Sequence, residues 1–275
     1  MPVLHAVVLG VVQGLTEFLP VSSSGHLVLT RWLFGWSGPS AALEKALDVG
    51  LHVGTMIGAV GYLRHDLASL VRDAVRAARA RSIGSSRERL PWLLAVSALP
   101  AAATGGLLES TIVSRLGEPW LIAVALVVFA LVLAAADRCA QVRDVGAFGG
   151  RQAWLMGGAQ ALALQPGVSR SGVTMSVARL LRFDRESAVR LSFLMSLPLI
   201  GGAAAYEGVQ LIGGGAQPPG YLAAVAWGMA ASAVTAWAAV WAVLRLVRTR
   251  SFMPFVVYRV LAGLAVITII ATGLR

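Results

Sequence analysis

Gln13-Gly14-Leu15-Thr16-Glu17-Phe18-Leu19-Pro20-Val21-Ser22-Ser23-Ser24-Gly25-His26 sets an acid, a proline, three serines and a histidine inside an apolar run. The surrounding stretch from Val3 to Trp32 is long enough to cross a bilayer, which takes about 20 helical residues. The polar cluster nevertheless cuts it into two half-length helices. Pro20 breaks the helix by removing a backbone donor, and an ionised Glu17 at the bilayer centre is costly unless it is paired or wet. Irregular backbone at membrane depth survives only where it is buried in protein or lines a wet cavity. The break therefore reads as a re-entrant hairpin with a site at its tip. The stretch from Trp154 to Leu181 is interrupted in the same way by Gln165-Pro166-Gly167-Val168-Ser169-Arg170-Ser171-Gly172-Val173-Thr174.

Composition supports a membrane protein. Of 275 residues, 57% are hydrophobic and only 13% charged, about half the charge a soluble domain carries. Six further stretches are long and apolar enough to span: Leu47 to Leu63, Pro91 to Leu108, Trp120 to Ala136, Ala188 to Tyr206, Tyr221 to Leu244 and Phe252 to Leu274. The predicted fold class is thus an all-α polytopic integral membrane protein, with six transmembrane helices and two re-entrant helical hairpins in one domain, 1–275. The net charge of +10 comes almost wholly from arginine. It is read as a topology signal, not a nucleic-acid patch. If both hairpins return to their own side, seven arginines of a loop over about 64–90 share a face with Arg138, Arg143, Arg151, Arg179, Arg182, Arg185, Arg190, Arg245, Arg248 and Arg250. The other face keeps Arg31, Lys45, Arg115 and Arg275. By the positive-inside rule the arginine-rich face is cytoplasmic. The single Cys139 excludes an intrachain disulfide and a cysteine-based metal site. Residues Met1 to Leu9 lack the basic region of a cleavable signal peptide.

The two interrupted stretches also repeat each other. Aligning Gly10 with Gly157 superposes Gln13 on Gln160, Leu15 on Leu162, Val21 on Val168, Ser22 on Ser169, Ser24 on Ser171 and Gly25 on Gly172. Each half, about 1–140 and 150–275, then holds one hairpin and three spans. An odd number of crossings inverts the second half, the inverted-repeat plan with a midplane site. The copies diverge where chemistry matters. Glu17 and His26 are matched by Leu164 and Val173, and Ser23 by Arg170. One tip carries acid, hydroxyl and imidazole; the other carries a permanent cation suited to phosphate oxygens. Two helix N-termini and an arginine meeting at a point describe a phosphate or diphosphate cage. Glu17 and Gln13 add oxygen ligands for a hard divalent metal, Mg²⁺ or Ca²⁺.

The Gln13–His26 run, the Pro166-Gly167-Val168-Ser169-Arg170-Ser171-Gly172 run, the surroundings of Ser192, Leu197 and Pro198, and the segment from Ser251 to Arg259 together resemble the undecaprenyl-diphosphate phosphatase family, also called bacitracin-resistance proteins. The resemblance covers nearly the whole chain. It implies hydrolysis of undecaprenyl diphosphate to undecaprenyl phosphate and phosphate in the bacterial plasma membrane, recycling the lipid carrier of peptidoglycan synthesis and conferring bacitracin resistance. The family's paired-acid motif allows Glu or Gln first, so Gln13 would be a neutral metal ligand. Glu17 would hold the metal or orient water, Arg170 would anchor the phosphate, and Ser23 or His26 would be nucleophile or general base. Ser22, Ser24, Gly25, Ser169, Ser171, Gly172 and Thr174 would bind phosphate oxygens. With the first hairpin entering from the arginine-poor side, the site faces the periplasm. Expected partners are the polyprenyl lipid, membrane lipid and a second copy in a homodimer, with no nucleic acid.

Competing readings are weighed on the same residues. Ser24-Gly25-His26 also ends like a motif of type-2 phosphatidic-acid phosphatases. The lysine that superfamily needs upstream is absent, since the one lysine is Lys45, and Ser176 stands where its downstream histidine would fall. A lipid-phosphate transporter or flippase would use the same inverted-repeat cage without a nucleophile. Isolated polar residues such as Thr55, Ser97 and Thr235 read as packing glue between helices. His5, His52 and His65 read as interface or packing residues, Asp48 as a boundary charge, and Arg259 as structural.

Overall fold

The computed structural model describes residues 2–38, 40–211 and 218–275, and among these not the side chains at 108–115, 207 and 209–211. The side chain of Arg115, assigned above to the arginine-poor face, lies outside the described residues. The helices are α1 (Val3–Phe18), α2 (Ser23–Phe34), α3 (Ala41–Tyr62), α4 (Arg64–Ala80), α5 (Ser86–Arg115), α6 (Pro119–Asp137), α7 (Gly150–Leu162), α8 (Arg170–Leu180), α9 (Arg185–Leu211), α10 (Tyr221–Leu246) and α11 (Met253–Ala271). Among the described residues there is no strand. Five helices, α5, α6, α9, α10 and α11, are long and apolar enough to cross a membrane, and α3 with α4, bent by 83°, supplies a sixth when counted as one broken span. The protein is a multi-pass membrane protein.

Within the arginine-rich connection over 64–90, Arg64–Ala80 is helical. Leu67, Leu70, Ala74 and Ala77 recur at three- and four-residue spacing and turn toward the protein, the apolar stripe that stabilises a surface helix. The charges around them obscured that period.

Both breaks are built alike. Ser22 (φ 77°) and Ser169 (φ 74°) hold a left-handed backbone that is unfavourable for residues with a side chain. Each serine then caps the helix it precedes: Ser22 Oγ accepts from the Gly25 N–H at 3.4 Å and Ser169 Oγ from the Gly172 N–H at 3.1 Å. Such a cap is worth about 1 kcal/mol and offsets part of the backbone strain. At Gly167 the φ of +96° and the contact with the Ile122 backbone leave no room for a Cβ.

The ends of each hairpin meet. Trp36, just past α2, stacks on His5 at the start of α1, with centroids 3.9 Å apart. Phe148, just before α7, faces Phe183, just past α8, at 6.5 Å. The charged residues sort the bundle's two ends. At one, Asp137 accepts from Arg185 Nε at 2.7 Å and from the Phe252 N–H at 3.1 Å, Arg190 meets Asp66 at 3.3 Å, and Arg248 meets Glu186 at 3.0 Å. At the other, Arg31 pairs with Asp48, and the Tyr221 hydroxyl donates to Leu43 O at 2.5 Å. The α1–α2 pair opens toward the second end and the α7–α8 pair toward the first.

Packing crosses between the halves. α1 lies chiefly on α10, where Gly10 sits against the Gly228 carbonyl and Gly14 against Ser232 and Thr235. α7 lies on α5, where Gly157 approaches Ser97 so closely that a Cβ would come within 2.5 Å of its carbonyl oxygen. Small residues let these backbones approach, the usual means of tight helix association in a membrane.

Candidate active site

The two tips interlock. Ser22 Oγ accepts a second bond from the Gly167 N–H at 2.9 Å, and Ser171 Oγ donates to Leu19 O at 2.7 Å. Arg259, fully buried on α11, ties both tips together: its guanidinium donates to Pro20 O (3.1 Å) on one side, to Gly167 O (2.9 Å) and Val168 O (3.0 Å) on the other, and to Leu126 O (3.2 Å) on α6. It meets no carboxylate among the described residues, so backbone carbonyls alone satisfy it.

Glu17 is the hub. Arg170 Nη2 donates to its Oε1 at 2.7 Å, bridging the two tips. Ser23 Oγ at 2.6 Å and Gln13 Nε2 at 2.8 Å both donate to Oε2. Gln13 and Glu17 stand one helical turn apart and share a face. Ser23 reaches the carboxylate only because the strained turn at Ser22 folds α2 back over the end of α1. The carboxylate and guanidinium are both nearly buried, with side chains 5% and 14% exposed. A buried pair of this kind is held by its extra hydrogen bonds. One acceptor stays unmatched: the Gln13 carboxamide oxygen is buried without a partner.

His26 sits one turn into α2. Its Nδ1 lies 2.7 Å from Ser22 O, an acceptor, so Nδ1 carries the proton in the neutral ring and leaves Nε2 as the lone pair. Tyr258 of α11 donates its hydroxyl to that lone pair at 2.7 Å, and the two rings stack within 15°. His26 is thus bonded to Ser22 and Tyr258, while Ser23 is bonded to Glu17.

The residues expected to bind phosphate divide into two groups. Ser22, Ser169, Ser171 and Thr174 are buried and committed to the scaffold: the first two cap helices, Ser171 joins the tips, and Thr174 Oγ1 donates to Arg170 O at 2.8 Å and lies 2.7 Å from Ser192 Oγ. Gly25 and Gly172 present N–H groups to the capping serines. Ser23 and Ser24 are partly exposed at the start of α2. With the N-termini of α2 and α8 and Arg170 gathered around one carboxylate, and Arg259 behind the two tips, the centre is positive on balance and suits an anion of phosphate type.

Sequence reasoning missed two neighbours. His52 of α3 places Nε2 3.7 Å from Glu17 Oε2 while its Nδ1 bonds to Asp48 O at 2.8 Å. Tyr258 was visible only as part of a C-terminal segment. Neither belongs to a local pattern that marks a site, because helix packing alone brings them there. Among the described residues no three His, Cys, Asp or Glu gather as a metal cluster.

Comparison with known proteins gives a consistent picture. The family described as "Bacitracin resistance protein BacA" matches residues 6–265. A protein of Geobacter sulfurreducens named undecaprenyl-diphosphatase is 46% identical over 269 residues, covering 97% of this chain and 98% of its own length. Proteins of the same name from Pelobacter propionicus and Geobacter metallireducens are 42% identical over 276 residues (100% and 99% covered) and 44% identical over 269 residues (97% and 98%).

Proposed function

Because the chain belongs to the bacitracin resistance protein BacA family, we propose that it is a membrane phosphatase that hydrolyses undecaprenyl diphosphate to undecaprenyl phosphate and phosphate, recycling the carrier lipid of cell-wall synthesis. The observation that carries this reading is the chain Ser23–Glu17–Arg170, in which a hydroxyl donates to a carboxylate held in turn by a guanidinium across the two tips. A transporter's binding cage has no need of a hydroxyl joined to a base.

In this reading the terminal phosphate lies at the N-termini of α2 and α8, and Arg170 turns part of its donor fork to the phosphoryl oxygens. Ser23 Oγ attacks the terminal phosphorus as its proton passes to Glu17 Oε2, the positioned base. The P–O bond to the bridging oxygen breaks, and undecaprenyl phosphate leaves with the electron pair. Water then displaces the phosphoryl group from Ser23, Glu17 returns its proton to the departing Oγ, and both protons of the water leave on the released phosphate as dihydrogen phosphate. Arg170 stabilises the charge spread over the equatorial oxygens in both steps. Attack by His26 instead would first require Nε2 to leave the Tyr258 hydroxyl.

A hard divalent cation fits the same centre. The unpartnered Gln13 oxygen, the Glu17 carboxylate and substrate oxygens form an all-oxygen set of the kind Mg²⁺ or Ca²⁺ takes. Glu17 and Gln13 would hold it, and when bound it would supply Lewis-acid stabilisation of phosphoryl charge. The meeting ends of each helix pair support two re-entrant hairpins in inverted halves. The crowding of arginine at one end supports a cytoplasmic face there and a site opening to the periplasm.

The test is phosphate release from a soluble short-chain prenyl diphosphate by purified protein, with samples quenched in parallel by acid and by neutral denaturant and mapped by mass spectrometry. Release with an acid-stable phosphoryl group on residue 23 is the expected result. An acid-labile group on residue 26 would reverse the roles, and binding without release would favour transport. Tyr258→Phe keeps the ring stack and loses one hydrogen bond. Its kcat is expected to fall about three- to tenfold, in keeping with one bond of about 1 kcal/mol, with KM within about twofold.

A further inference from the structure

α4 turns away from α3 by 83°, so it does not continue the line of the apolar helix that it follows. Leu67, Leu70, Ala74 and Ala77 face the protein. Beside them, at helical spacing, Ala68, Val71, Val75 and Ala78 form a second apolar strip that the protein leaves uncovered: Val71 is 63% and Val75 44% exposed. Around the corner on α3, Ile57 (52%) and Val60 (41%) are exposed as well, so uncovered apolar surface continues from the crossing onto α4. Arg72, Arg76 and Arg79 border the strip on its far side. Farther round the helix, Asp66 is engaged by Arg190 of α9, and Asp73 lies 3.5 Å from Arg76, whose side chain is 67% exposed. Arg72 and Arg79 form no ion pair among the described residues.

A bare apolar strip edged by arginines is an anomaly in water but the expected form of a helix lying in a membrane interface, with the strip at the acyl boundary and the guanidinium groups at phosphate level. We propose that α4 is an interfacial helix that binds the head groups of anionic phospholipids at the arginine-rich face. The occupant is a lipid surface because the strip adjoins the end of a crossing and continues its lipid-facing side, and because the arginines match phosphate in charge.

The test uses the full chain in phosphatidylcholine nanodiscs doped with phosphatidylglycerol. Native mass spectrometry should find phosphatidylglycerol retained by the wild type. The Arg72→Gln/Arg76→Gln/Arg79→Gln variant should bind it more weakly by on the order of a hundredfold, since each surface arginine is worth about fivefold. A control variant, Arg245→Gln/Arg250→Gln, should keep the wild-type affinity. Equal retention by all three proteins, or equal loss in the control, overturns the proposal. A nitroxide at Val71→Cys, with Cys139→Ser, tests placement without touching the arginines: greater access to oxygen than to a water-soluble nickel chelate is expected, and the reverse overturns it. Phosphate release in lipid-free detergent should stay within twofold of wild type for every variant, so failure here is separable from failure of the phosphatase reading.

Discussion

Arg170→Ala is expected to lower phosphate release by at least a factor of about a thousand, the range found when a cation that stabilises phosphoryl-transfer charge is removed. Two losses coincide. The transition state loses its bidentate donor, and Glu17, 5% exposed, keeps its charge without the guanidinium 2.7 Å away. Breaking a buried pair from one side typically destabilises by about 3–5 kcal/mol, so the melting temperature in detergent should fall too. The double variant Glu17→Gln/Arg170→Ala separates the effects: it removes the stranded charge and should recover much of the stability while turnover stays lost. Arg170→Lys should fold normally yet remain far below wild type, because a point charge cannot reproduce the planar fork. A folded Arg170→Ala protein with a tenth of normal activity would count against the site.

Arg259→Met is the second large effect, and it begins with the fold. Four backbone carbonyls, at Leu126, Pro20, Gly167 and Val168, accept from this one buried side chain. Methionine fills similar space but donates nothing. Each stranded buried carbonyl carries a penalty of about 1–3 kcal/mol, so a loss of at least about 3 kcal/mol is expected, read as a lower thermal midpoint in detergent. Activity should fall with it, since the same carbonyls fix where the Glu17 and Arg170 tips sit. Arg259→Lys should recover part of the midpoint, its ammonium reaching some of the four oxygens. An unchanged midpoint for Arg259→Met would show that the tips are held by other contacts.

Much of this arrangement was legible in the chain. The matched Ser22 and Ser169 foretold a repeated break, and both hold the same left-handed turn and the same cap. The replacement of Ser23 by Arg170 in the second copy announced that the tips were complementary, and Arg170 does meet Glu17. What stayed hidden depends on tertiary geometry. The Ser23–Glu17 bond spans six residues across a non-helical turn, a separation that no periodicity rule favours. His52 and Tyr258 lie on α3 and α11 with nothing in their local sequence to set them apart from interface residues. The scaffold bonds of Ser22, Ser169, Ser171 and Thr174 were not legible, because a hydroxyl reads the same in sequence whatever it bonds to. Over 64–80 the arginines dominated the reading and masked the helix beneath them.

The interleaving of the two halves sets an order on biogenesis. During synthesis α1 emerges long before α10, the surface on which it rests, and Tyr258 and Arg259 follow later still. Until they arrive, the carbonyls of Pro20, Gly167 and Val168 lack the donor that Arg259 gives them. Insertion and maturation are therefore separate events here: ribosomes can deliver every segment in sequence, yet the lock that Arg259 makes across both tips forms only once α11 has arrived.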